Sequence, residues 1–182
     1  LTLAAPDADA TSSRLEPTER ATASRLDRAL VGEDAVATAR ALLGRLLVRQ
    51  HAAGPAIGRI VETEAYGGPQ DQASHARFGR TARTEVMFGA PGRAYVYLIY
   101  GLHHCLNVVC GRDGDAQAVL IRAIEPVGGL AGMRARRSAA AGPDARLGAG
   151  PGRACQALGI DRSLGGLDLI TADELYLAQD GV

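Results

Sequence analysis

The run Arg59-Ile-Val-Glu-Thr-Glu-Ala-Tyr66 constrains this chain more than any other stretch. It reads as a strand, and a strand sends alternate side chains to opposite faces. Glu62, Glu64 and Tyr66 therefore share one face. Two carboxylates and an aromatic ring make a poor core and a good reaction site. For an isolated strand the ordinary reading would be a solvated edge, but the nearby His75 adds a fourth polar group. Strand parity does not choose between the two glutamates.

A second run, Arg93-Ala-Tyr-Val-Tyr-Leu-Ile-Tyr-Gly101, holds three of the five tyrosines, in a chain without tryptophan. As a strand it could be buried on both sides. Lying near the acids, its rings could instead receive a planar, stackable substrate. Tyr100 stands in an Ile-Tyr-Gly turn, where burial of a ring is least expected.

The chain has 182 residues, enough for one domain with a substantial core. Its formal net charge is +0, so bulk charge does not announce a nucleic-acid binder. All 20 basic residues are arginine, and alanine and glycine abound, as under GC-rich codon usage. From Arg112 to Arg153 there are seven arginines against four acids; from Asp161 to Val182 there are five acids against one arginine. A neutral protein can thus carry a local basic surface. Cys105, Cys110 and Cys155 are an odd set without CxxC spacing, which argues against a disulfide framework or a zinc site. The four ligands of an iron–sulfur cluster are not evident. No metal or cofactor is expected. No run approaches the ~20 apolar residues of a membrane span, and the start lacks the pattern of a signal peptide. These features point to the cytoplasm.

Residues 1–20, rich in Ala, Ser, Thr, Asp and Pro, read as a disordered lead, and 21–182 as one domain. The spacing predicts a helix over 33–43, a hairpin of strands 46–50 and 58–64, and a loop over 70–92. Strands 94–100, 105–110 and 118–124 and helices 130–137 and 151–158 follow. Pro151 is well placed to open the last helix. This order predicts an α+β domain with a mostly antiparallel, curved sheet flanked by helices.

Four stretches, RIVETEAYGGPQDQASHARFGRT, VMFGAPGRAYVYLIYGLHHCLNV, VLIRAIEP and GPGRACQALGI, occur in an order that resembles the alkyladenine (3-methyladenine) DNA glycosylase family. They span roughly Ala41 to Ile160, with gaps. The resemblance implies a monofunctional base-excision enzyme, acting as a monomer on double-stranded DNA at the bacterial nucleoid. Such an enzyme flips out alkylated or deaminated purines, of the 3-methyladenine, 7-methylguanine, hypoxanthine and ethenoadenine type. It implies that Glu64 is the general base acting on a water, with Arg122 beside it and Glu62 in support. Tyr66, His75 and Tyr97 form the cage for the base, where rings favour a cationic purine. Asn107 lies in the floor, excluding the 2-amino group of guanine. Tyr100 is the wedge that fills the gap in the duplex. Gly152 and Arg153, in the glycine-rich approach to the last helix, meet a DNA phosphate, although a plain core helix reads equally well there. Such enzymes continue to a closing strand and loop near the water. No stretch here matches that segment, which implies an open sheet edge. His103 and His104 receive no role. Two other readings are a non-catalytic damaged-DNA-binding module of the same fold and a small-molecule hydrolase or transferase using the Glu/Tyr pocket. A projecting Tyr100 favours DNA; one that closes a pocket favours a small substrate.

Overall fold

The computed structural model describes residues 1–4, 23–137 and 142–180. Its centre is a curled, eight-stranded sheet in which every neighbouring pair is antiparallel. The strands are β1 (Thr2–Ala4), β2 (Ser24–Arg25), β3 (Leu46–Arg49), β4 (Ala56–Tyr66), β5 (Ala94–Ile99), β6 (His103–Cys110), β7 (Gln117–Gly128) and β8 (Leu175–Gln179). They lie in the order β2-β8-β3-β4-β7-β6-β5, and β1 pairs with β4 beyond Leu46, the first residue of β3. The helices are α1 (Ala35–Leu42), α2 (Leu130–Arg137) and α3 (Pro151–Leu158). The predicted α+β class and its antiparallel sheet are what forms.

Local chemistry accounts for the helix ends. Asp34 caps α1, its carboxylate accepting from the amides of Val36 and Ala37 at 2.9 Å each. Pro151 opens α3, and Gly159, at φ 68°, closes it in the left-handed conformation. On one face of the sheet, α1 and α3 bury Leu42, Leu47, Ile60, Leu106, Ile121 and Leu158 in the main core. On the other face the segment 67–93 lies over a smaller cluster containing Ala76, Met87, Tyr95 and Val109. That segment, predicted as loop, contains two short 3-10 turns, His75–Phe78 and Glu85–Phe88. The predicted disordered lead begins with β1, paired to Glu62–Glu64; the rest of it falls outside the described residues. No helix among the described residues is long and apolar enough to cross a membrane.

The two central strands are irregular where it matters. Ile60 of β4 pairs with Ile124 of β7, but Glu62 pairs with Ala123 and Thr63 with Ile121. Val61 and Arg122 are therefore skipped, one on each strand, as paired bulges. The burial of β4 changes phase at this point. Ile60 lies in the main core, then Val61 and Glu62 are both partly exposed, and then Thr63 and Ala65 are buried. Strict alternation would put Ile60 on the same face as Glu62 and Glu64. The bulge lets Ile60 and Thr63 face the core while both acids face away from it.

Ile124 also packs closely on backbone. A Cβ at Gly148 would lie 2.4 Å from Ile124 Cγ1 and 2.4 Å from the Ile124 carbonyl oxygen. The Ile124 amide donates to the Gly148 carbonyl at 3.1 Å, so backbone meets backbone and neither can yield cheaply. Gly148→Ala is expected to lower stability by about 1–3 kcal/mol. The denaturant midpoint should fall with an unchanged slope; an unchanged midpoint would show that the 142–150 loop relaxes freely.

Candidate active site

The site is one row of side chains across four strands. Glu64 of β4 pairs with Leu120 of β7, Leu120 with Asn107 of β6, and Asn107 with Tyr95 of β5. Directly paired residues on neighbouring strands share a face. The row therefore carries an acid at one end, an amide in the middle and an aromatic ring at the other end.

Arg122, freed from the ladder by its bulge, reaches both acids. Its Nε donates to Glu62 Oε1 at 2.9 Å and its Nη1 to Glu64 Oε2 at 2.5 Å. Those bonds hold the guanidinium pKa above its usual value. All three groups are partly exposed, so the pairs contribute position more than stability. Thr63 lies between the acids but on the core side, where its hydroxyl donates to the Ala39 carbonyl of α1 at 3.0 Å. This bond pins the strand from behind. Beyond Glu64, Tyr66 has its phenol pushed up to about 12, first by burial and then by the charge and hydrogen bond of Glu64. It remains a protonated donor toward that carboxylate.

Tyr66, His75 and Tyr97, which the resemblance groups, lie together, and Tyr95 joins them. His75 packs edge-on to Tyr97, with ring centroids 4.7 Å apart. It also packs against Tyr95, which the sequence reading left without a role. The Tyr95 hydroxyl lies 2.9 Å from His75 Nδ1, and its ring tilts on Tyr97 at 5.5 Å. Burial, then Arg83 and Arg77, lower the His75 pKa, so the imidazole is neutral near pH 7. Tyr66, His75, Tyr95, Tyr97 and Asn107 line one small cavity of about 30 Å³. Asn107, 2 % exposed, donates its amide to the Tyr95 carbonyl at 3.2 Å. The signal that could have revealed Tyr95 was its spacing of two from Tyr97, which puts both rings on one face. Among the described residues, no group of three His, Cys, Asp or Glu side chains is placed to hold a metal.

The remaining candidates lie apart from this cavity. Tyr100 is 87 % exposed, with φ at 52° beside Gly101 at 69°. Two successive left-handed residues, closed by a bond of 3.1 Å from the Leu102 amide to the Ile99 carbonyl, form a tight hairpin turn. Left-handed backbone is costly for a tyrosine, so the turn holds the ring outward at some strain. A groove of about 520 Å³ runs from Tyr100 and His103 to Gly150, Gly152 and Arg153. Gly152 is required there, because a Cβ would lie 2.9 Å from His103 Cβ. Among the described residues no side chain caps the start of α3, and Arg153 is exposed, so amides of the first turn and a cation face this groove.

Residues 29–182 match the family described as methylpurine-DNA glycosylase (MPG). A protein of Natranaerobius thermophilus named "Putative 3-methyladenine DNA glycosylase" is 48 % identical over 154 residues, which cover 84 % of this chain and 78 % of that protein. A protein of the same name from Methanocella arvoryzae is 52 % identical over 147 residues, covering 79 % of this chain and 70 % of its own length. One from Streptomyces avermitilis is 53 % identical over 127 residues, covering 70 % and 59 % respectively. With this breadth of match, the chain belongs to the methylpurine-DNA glycosylase family.

Proposed function

We propose that this chain excises alkylated and deaminated purines from duplex DNA by hydrolysis of the N-glycosidic bond. The observation that carries this reading is the Arg122 bridge, which presents Glu64 on the same sheet face as the ring-lined cavity. A flipped nucleotide places its base among Tyr66, His75, Tyr95 and Tyr97. Glu64 takes a proton from a water whose oxygen bonds to C1′. The C1′–N bond breaks, and its electron pair leaves with the base. A carboxylate beside C1′ also stabilises the oxocarbenium character of the transition state. A cationic alkylpurine gains from the electron-rich rings, by about 0.5–2 kcal/mol per favourable contact. Asn107 in the floor opposes a 2-amino group. Without a lysine in the sequence, no lysine Schiff base can form, and the product is an intact abasic strand. We place the protein at the nucleoid as a monomer, its three free cysteines being compatible with a reducing compartment.

The exposed Tyr100 favours DNA over a small substrate, because the ring projects from a hairpin tip and does not line the inner cavity. The intact Glu64–Arg122 pair favours an enzyme over a module that only binds. The test is chromatographic base release from duplexes carrying hypoxanthine, ethenoadenine or methylated purines, followed by alkaline cleavage of the product. Free base together with strands that break only in alkali is the expected result. Tight lesion binding without release would replace this reading with the binding module.

Tyr100→Ala provides the sharper check on flipping. Excision of hypoxanthine from a matched duplex should fall by about 10-fold or more, since a wedge offsets a few kcal/mol of unstacking. Excision from single-stranded DNA should change little. Equal losses on both substrates would place Tyr100 in the pocket or the core.

A further inference from the structure

The small cavity cannot hold a purine as it stands. About 30 Å³ is room for a water or two. An open groove of about 800 Å³ lies immediately outside, lined by Arg83, Arg93, Arg162 and, again, Tyr95 and Tyr97. The two tyrosines belong to both spaces, and Arg83 sits at the junction. Its guanidinium carbon lies 5.3 Å from the Tyr97 ring centroid, within cation–π range. Its Nη2 donates to His75 Nε2 at 3.4 Å. Arg83 thus makes the contacts with Tyr97 and His75 that a cationic base would make.

The backbone around Arg83 is anchored while the side chain is free to leave. Thr84 is buried, and its hydroxyl donates to the Gly79 carbonyl at 2.8 Å and accepts from the Thr81 amide at 2.9 Å. Arg83 itself is exposed. Arg83 already lines the outer groove, so a change of rotamer would carry the guanidinium further into it.

We propose that Arg83 is a resident cation that fills the lesion seat in the free protein and sets the discrimination between cationic and neutral purines. The inference rests on the functional reading above. A neutral purine requires only that the guanidinium move aside to the rim of the seat. A cationic purine meets a like charge and requires full withdrawal of Arg83. The residue therefore restrains the preference for cationic lesions that the aromatic cage alone would give.

The test compares wild type with Arg83→Gln and Arg83→Lys. Single-turnover release of 3-methyladenine from methylated duplex DNA is measured against release of hypoxanthine from a defined duplex. Arg83→Gln should raise the ratio of cationic to neutral base released by about 10-fold, the scale of one like charge removed from a partly screened site. Arg83→Lys, which keeps the charge, should stay near the wild-type ratio. A second readout needs no DNA. His75 faces Arg83, Arg77 and the Tyr95 hydroxyl, and its NMR titration should move upward in Arg83→Gln as one repelling charge is lost. A release ratio unchanged in Arg83→Gln, with both rates lowered alike, would make Arg83 a plain phosphate contact and overturn the proposal. Should wild type release neither base, the functional reading fails. The seat of Arg83 is then decided by His75 alone: a raised titration supports it, and an unmoved one overturns it.

Discussion

Glu64→Gln should reduce base release by about 10²–10⁴-fold, the usual contribution of a positioned general base, while lesion-containing DNA still binds. The amide preserves the shape of the side chain and keeps an oxygen for the Arg122 Nη1 bond. It cannot accept the proton of the water. Glu62→Gln should be milder, because Glu62 accepts from the Nε of the same arginine and lies two pairs further from the row that ends in Tyr95. Rates under single-turnover conditions, with binding measured separately, decide the matter. Full turnover in Glu64→Gln, or a larger loss in Glu62→Gln, would reverse the two assignments.

Arg122→Leu should have the second-largest effect, a fall of about 10²–10³-fold in the chemical step, the range seen when one preorganised charged donor is removed from a reacting centre. Two carboxylates on alternate residues then face each other without a cation between them. Their repulsion splays the side chains, and Glu64 loses its orientation. Arg122→Lys should fall between wild type and Arg122→Leu, since an ammonium supplies the charge without the planar fork that reaches both acids. Circular dichroism and the unfolding midpoint should be close to wild type in both variants, because the ion pairs are solvent-accessible. A large drop in midpoint would mean that Arg122 acts on the fold. Equal activity of the arginine and lysine forms would mean that only charge matters there.

Much of the fold can be read from local pattern. The proline that opens α3 and the hairpin between β3 and β4 are short-range signals, and each appears close to its expected place; the helix expected over 33–43 forms as Ala35–Leu42. The unforeseen strands are those held by distant partners. Five-residue β8 carries no turn or cap signal of its own and exists because β3 and β2 flank it. Three-residue β1 exists because β3 begins at Leu46, opposite Arg59, and leaves the later part of β4 unpaired on that edge. Strand β7 runs on through Pro126, which lacks an amide proton but falls at a break in the ladder opposite Gly58. For the site, period two correctly grouped Glu62, Glu64 and Tyr66, and the family resemblance supplied Arg122. Neither could show that Arg122 is skipped by the ladder, since a bulge is a relation between two strands. Arg83 was invisible for the same reason: its contacts with Tyr97 and His75 cross from a loop to the sheet.

The paired bulge at Val61 and Arg122 makes this chemistry a matter of parity. If β4 ran through that point in strict alternation from Ile60, both carboxylates would turn toward Leu42 and Leu158, and Thr63 and Ala65 would come out beside the rings. The strand could keep every amino acid of its reactive segment and still lose its function. Substitution can change such a site gradually, but loss of the bulge cannot. Anyone transplanting this constellation onto another antiparallel sheet would need to carry the two irregular positions as a unit, together with a buried Thr63 and a helix carbonyl to receive its hydroxyl.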